Sequence, residues 1–232
     1  MRIVIAGGHG KIARQLTREL AKGGHEVVGL IRTEDQRADL VADGAVPAVI
    51  DLEQAPSAEV ARLLAGADVA VFAAGAGAGG SEERRQAVDF GGSVRLADAA
   101  EAAGVARFIQ ISSTGTEKVR DGQTPADVPA DFLGYLQAKL AAEEDLITRP
   151  LAWTIVRPGG LVDEPATGLV RLNPAGPGLA EDRATVPRGD VAAVLAALIE
   201  TGAAPRRVLH LVSGDTPVAV AVAAFASGGV DR

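Results

Sequence analysis

The chain has 232 residues, a net charge of −7, 47% apolar residues, 3% aromatic residues and no cysteine. Such a length with no compositional break suits a single α/β domain whose core is built from Ala, Val, Leu and Ile. Disulfides and thiolate metal sites are excluded, the scattered His9, His25 and His210 suggest no metal cluster, and the acidic balance disfavours nucleic acid and anionic membranes as partners.

An apolar strand over 2–6 runs into Gly7-Gly8-His9-Gly10-Lys11-Ile12-Ala13 at the head of a helix over 11–22. The spacing Gly7-x-x-Gly10-x-x-Ala13 fits a dinucleotide-binding loop. Gly7 takes the turn off the strand, Gly10 lets backbone approach a pyrophosphate, and Ala13 lets helix and sheet pack closely. Free N–H groups of the first helical turn then face the phosphates, so Gly7, Gly8, His9, Gly10, Lys11 and Ile12 are all expected to meet the cofactor. A second strand over 26–31 ends in Arg32, about twenty residues after the loop, where an acid would select NAD(H). A guanidinium there matches a 2′-phosphate, which predicts NADP(H) over NAD(H), although Glu34 and Asp35 would oppose it if they turned inward.

Helices over 35–43, 57–65, 82–103, 131–148 and 189–200 alternate with strands over 46–50, 68–73, 107–112 and 152–157 and a shorter one over 207–211. The alternation predicts one doubly wound, Rossmann-like domain across 1–232 with a mainly parallel sheet. The Pro- and Gly-rich stretch 158–187 reads as an irregular excursion over the mouth of the site, with 158–232 contributing the substrate side. No apolar helix approaches the ~20 residues that span a bilayer and no signal-peptide pattern opens the chain, so a soluble cytoplasmic protein is expected.

In an open sheet of this kind ligands bind beyond the carboxyl ends of the strands. There the chain places Asp51-Leu52, with an Asp suited to the adenine amino group, and the small residues Ala73-Ala74-Gly75-Ala76-Gly77, which leave room for a flat ring and a ribose. The hydroxyl run Ser112-Ser113-Thr114 follows, and Ser112 is also expected among the cofactor contacts. Tyr135, the single tyrosine, and Lys139, one of only four lysines, lie four apart on a predicted helix and so share a face. A lysine ammonium beside a phenol favours the phenolate, and the same lysine can reach a nicotinamide ribose. A hydroxyl of Ser112, Ser113 or Thr114 would orient a carbonyl while Tyr135 moves the proton. Trp153 reads as core, and Asp190 either as a first-turn acid or as a site residue.

With these motifs, Val88-Asp89-Phe90-Gly91-Gly92, Arg107 to Ser113, Trp153 to Leu161 and Val186 to Ala192 make nearly the whole chain resemble the short-chain dehydrogenase/reductase superfamily, in its atypical branch related to the extended enzymes. The resemblance implies that Tyr135 is the acid/base, Lys139 its partner, and Ser113 or Thr114 the carbonyl-orienting hydroxyl. It also implies that backbone after Pro158, at Pro158, Gly159, Gly160 and Leu161, meets the nicotinamide carboxamide. Two positions depart from the pattern: Asp89 stands where extended members commonly carry Asn, and Thr114 replaces Ser. The short remainder after Arg157 favours a small carbonyl, quinone or flavin-like acceptor. The same branch contains redox sensors and sugar epimerases, and both monomers and homodimers.

Overall fold

The computed structural model describes residues 1–77, 80–126, 128–176 and 184–226. Its strands are β1 (Arg2–Ala6), β2 (Glu26–Ile31), β3 (Val46–Val49), β4 (Val69–Phe72), β5 (Arg107–Ile111), β6 (Ala152–Pro158), β7 (Gly160–Val162), β8 (Leu169–Pro174), β9 (Thr185–Pro187), β10 (Arg207–Ser213) and β11 (Thr216–Pro217). The main sheet runs β11-β8-β10-β6-β5-β4-β1-β2-β3. From β3 through β10 its neighbours are parallel, and only β8 and β11 bring antiparallel pairs. The six strands β3-β2-β1-β4-β5-β6 reproduce the doubly wound order, with the reversal of winding between β1 and β4.

The strands are buried because helices cover both faces, which is why they read as continuous apolar runs. Ile3, Val4, Ile5 and Ala6 are all fully buried. Alternate residues serve opposite faces: Ile3 and Ile5 join a core with Leu16 and Leu20 of α1 (Lys11–Lys22) and Leu195 and Leu198 of α7 (Arg188–Thr201). Val4 and Ala6 join Val60 of α3 (Ser57–Leu64) and Leu96 and Ala100 of α5 (Gly92–Ala102). Trp153 is core, as expected. The remaining helices are α2 (Arg37–Ala42), α4 (Glu82–Arg85), α6 (Ala130–Thr148) and α8 (Val218–Ala223).

Two elements differ from the simple reading. The single helix expected over 82–103 is α4 and α5 joined through a π-helical turn, Gln86–Gly91. That wide turn carries the fully buried Asp89 inward, an insertion of the kind often found at functional sites. Of the stretch over 158–187, expected to be irregular, the described residues 158–176 and 184–187 supply β7, β8 and β9, and 177–183 lie outside the described residues. In β8, Val170 and Leu172 are buried while Leu169 and Arg171 are exposed, a period of two that lets the strand extend the sheet beside β10. Asp190 is settled as structural: it is fully buried and accepts hydrogen bonds from the Thr167 and Gly168 N–H groups at 3.0 and 2.7 Å. Among the described residues, no helix is long and apolar enough to cross a membrane.

Candidate cofactor and reaction site

A cleft of about 440 Å³ opens beyond the carboxyl ends of β1 to β4, at the reversal of strand order. Gly7, His9 and Gly10 line it on one side, Arg32, Asp51, Leu52 and Glu53 on another, and Ala73, Ala74 and Gly75 on the third. Gly7 has φ +75°, and a Cβ there would lie 2.7 Å from Ala74 Cα. Glycine is therefore required both by conformation and by the contact between the β1 and β4 loops. Gly8 is packed in the same way, 2.9 Å from Gly29 Cα at its would-be Cβ. Gly10 caps α1 with no side-chain hydrogen bond, and the first turn carries no acid. The orphan N–H groups of that turn thus meet no competing carboxylate from their own helix, and the loop fits a pyrophosphate.

Other loop side chains are engaged elsewhere. His9 Nε2 lies 2.7 Å from Asp39 Oδ2, and Lys11 Nζ lies 2.5 Å from Asp163 Oδ2, whose other oxygen holds Arg188. The Ile12 side chain belongs to the core, so only its backbone is available to a phosphate. On the adenosine side, Arg32 Nη1 lies 3.3 Å from Glu53 Oε1 and Arg84 Nη2 3.2 Å from the same oxygen. Glu34 is engaged by Arg37. Asp51 Oδ1 accepts the Glu53 N–H at 2.9 Å, and Arg95 donates to the Leu52 carbonyl, so this loop is tied from both sides.

Behind the β4 loop, the Lys139 ammonium is nearly inaccessible to solvent; it lies 3.5 Å from the Ala74 carbonyl and 2.9 Å from Asp89 Oδ1, and neither it nor Tyr135 lines the cleft itself. It also lies 3.3 Å from the Ile111 carbonyl oxygen, and 5.8 Å from the Tyr135 ring centroid. Burial alone would lower the lysine pKa, but the charges of Tyr135, Asp89 and Glu143 outweigh it and hold the group above the ordinary value. Asp89 Oδ2 accepts the Ala76 N–H at 3.0 Å, and a Cβ on Gly75 would come within 3.1 Å of Asp89 Oδ1. The small β4 loop is thereby seated on the Asp89–Lys139 pair. Tyr135 is half-buried, its ring 4.9 Å from that of Phe132.

The hydroxyl run divides. Ser112 is buried and donates to Glu143 Oε1 at 2.5 Å, so it belongs to an interior network and not to the cleft lining. Ser113 Oγ donates to the Thr114 carbonyl at 3.0 Å, and the Thr114 N–H donates to the Pro158 carbonyl at 3.0 Å. Below them Arg157 grips Glu143 with two nitrogens, at 3.0 and 2.5 Å, and reaches Glu117 at 3.0 Å. The N–H groups of Gly159 and Gly160 are bonded to the Leu211 and Ala184 carbonyls, and Leu161 is exposed on β7. Pro158 to Leu161 do not line the cleft.

Sequence reasoning missed Glu53, Arg84, the Asp89–Lys139 pair and Glu143. Glu143 carried a signal: it is one further helical step of four from Tyr135 and Lys139 on α6, and so faces the same way. Arg84 and Glu53 are brought together only by the tertiary fold.

A three-sided cleft at the winding reversal, with a glycine cradle at a helix N-terminus, defines a dinucleotide-binding Rossmann-like protein of the short-chain dehydrogenase/reductase kind. Residues 7–202 match the family described as NAD(P)H-binding, and the chain belongs to that family. It is 33% identical to the uncharacterized sugar epimerase YhfK of Bacillus subtilis, over 96% of this chain and 99% of that one. A solved structure from Bacillus halodurans, provisionally named an NAD-dependent epimerase/dehydratase, superposes with a TM-score of 0.86 at 35% identity and covers 97% of this chain and 99% of its own. The anaerobillin reductase ChuY of Escherichia coli superposes with a TM-score of 0.76 at 25% identity, over 92% and 97% of the two chains.

Proposed function

We propose that the protein is an NADP(H)-dependent oxidoreductase that reduces a small carbonyl, quinone or flavin-like acceptor. The observation that carries this reading is the placement of Tyr135 beside the buried Lys139, whose ammonium lies 3.5 Å from the Ala74 carbonyl of the β4 loop that lines the cleft. The glycine loop and the α1 N-terminus would hold the pyrophosphate, and Arg32 the 2′-phosphate. The nicotinamide supplies hydride when bound. Tyr135 would donate the proton, Lys139 would hold charge beside the phenol, and Ser113 or Thr114 would orient the acceptor oxygen. The small side chains of Ala73, Ala74 and Gly75 leave room for a planar ring, and the likeness to a structure named an anaerobillin reductase favours a reductase.

The Asp89–Lys139 pair supports a second reading, a non-catalytic NADP(H)-responsive regulator. A lysine already neutralised by a buried carboxylate at 2.9 Å has less charge to lend to Tyr135 or to a ribose. Screening NADPH oxidation against quinones, flavins and small carbonyls separates the two. On the enzyme reading a turnover substrate emerges, and Tyr135→Phe lowers its kcat by about 10²-fold or more. Full activity in that variant removes Tyr135 from the chemistry, and no turnover with any acceptor class favours the regulator.

A further inference from the structure

Arg32 and Arg84 come from different elements, one from the end of β2 and the other from α4, and they converge on a single oxygen of Glu53. All three residues line the cleft. The side chain of Glu53 is 23% exposed, against 53% for Arg32 and 39% for Arg84, so the two guanidiniums cover the carboxylate from the solvent side. The carboxylate is not on a loose tether. Its own N–H is bonded to Asp51 Oδ1, the preceding carbonyl to Arg95, and the Arg84 N–H to Ser81 Oγ at 3.3 Å. Arg32 and Arg84 are balanced in the lining by Glu53 and Asp51, but Asp51 is turned to the Glu53 N–H and only Glu53 pairs with the two guanidiniums. Glu34 is paired with Arg37.

We infer that Arg84 is a second specificity-determining arginine for the 2′-phosphate of NADP(H), and that Glu53 is a resident anion occupying the phosphate's seat between the two guanidiniums. The inference rests on the NADP(H) reading of Arg32 and deepens it. In the free protein Glu53 offsets the charge of the two guanidiniums where they converge. A phosphate monoester carries close to two negative charges and three acceptor oxygens, so it outcompetes one carboxylate for two guanidiniums. The carboxylate then stays nearby and repels it. Glu53 thus lowers NADP(H) affinity while Arg84 raises it, and NAD(H), which has hydroxyls at that position, feels neither strongly.

The test is calorimetric titration of cofactor-free protein with NADPH and, separately, NADH, on wild type, Arg32→Ala, Arg84→Ala, Arg84→Lys and Glu53→Gln. NADH affinity serves as the control for an intact fold and pyrophosphate loop. Arg84→Ala is expected to weaken NADPH about tenfold or more, the scale of one charged hydrogen-bonded contact, and to leave NADH within about twofold. Arg84→Lys falls between, because it keeps the charge and loses the fork. Glu53→Gln strengthens NADPH roughly fivefold, the scale of one screened like-charge repulsion at short range. An NADPH preference that is lost in Arg32→Ala but unchanged in Arg84→Ala overturns the inference and leaves the cofactor reading standing. Glu53→Gln weakening NADPH overturns the resident-anion role. Equal wild-type affinities, unchanged by Arg32→Ala, overturn the cofactor reading itself and this inference with it.

Discussion

Replacing Gly7 with alanine isolates what the glycine loop contributes to the fold from what it contributes to binding. At φ +75° an L residue adopts the left-handed conformation, which costs about 1–2 kcal/mol. The new methyl would lie 2.7 Å from Ala74 Cα, 2.8 Å from Ala74 N and 3.0 Å from the Ala73 carbonyl carbon. All three are backbone atoms that cannot swing aside, so overpacking adds about 1–3 kcal/mol. A total of about 2–5 kcal/mol lowers the Tm by roughly 5–15 °C in a chain of this size. Gly66→Ala is the matched control, because Gly66 has φ +71° and nothing within 4 Å of the added carbon. It bears only the conformational cost and falls by roughly 2–6 °C. Differential scanning calorimetry with and without NADPH reads both effects. The cofactor-induced rise in Tm is expected to survive in Gly66→Ala and to shrink in Gly7→Ala, where the β1 and β4 loops must separate. Equal losses of Tm in the two variants, with equal responses to NADPH, would refute the close-approach argument.

Asp89→Asn removes the direct ion-pair partner of the buried Lys139 ammonium and is expected to cost about 3–5 kcal/mol in urea unfolding. Asp89→Asn combined with Lys139→Met removes the stranded charge and recovers most of that loss, and a single variant within about 1 kcal/mol of wild type would show the pair to be unimportant to the fold. Glu117 gives a pH signature. Burial would push its carboxyl up, but His210 and Arg157 hold it at about 2, below the ordinary 4.5. A carboxyl depressed by folding binds fewer protons in the native state, so its stabilisation is complete above about 4.5 and lost as pH falls toward 2. The Tm advantage of wild type over Glu117→Gln should therefore narrow on acidification through that window, and a difference constant down to pH 2.5 would contradict the assignment.

The parts of the fold legible in the sequence are those in which one short segment carries its own physical reason. The continuous apolar runs of β1, β2 and β4 require cover on both faces, and the glycine spacing before α1, read together with the strand that precedes it and the helix that follows, marks a tight strand-to-helix turn suited to a dinucleotide. The π-helical turn at Gln86–Gly91 was invisible, because no residue type marks a helix that admits one extra residue. It matters because it sends Asp89 inward to Lys139. β8 was hidden for a different reason: its alternation of Val170 and Leu172 with exposed neighbours lies within a Pro- and Gly-rich stretch whose punctuation dominates a local reading.

The site divides along the same line, and the division bears on mechanism. Tyr135 and Lys139 were legible as an i, i+4 pair, but the electrostatic state of that pair depends on partners distant in sequence. Asp89 lies 50 positions before Lys139, and Arg157 14 positions after Glu143. Ser112 shows the consequence. Its hydroxyl was readable as one of three equivalent groups in a row, yet it is bonded inward to Glu143, while Ser113 is buried with its hydroxyl on the Thr114 carbonyl, and none of the three lines the cleft. The buried Glu143–Arg157 pair also clasps α6 against β6, since Glu143 lies on the first and Arg157 on the second. Because α6 bears Tyr135 and Lys139, this ion pair also helps to fix where both side chains sit. On the proposed reading, loosening that clasp with Glu143→Gln is expected to lower turnover before it weakens cofactor binding in a calorimetric titration, because the glycine loop is held independently by Gly7 against Ala74.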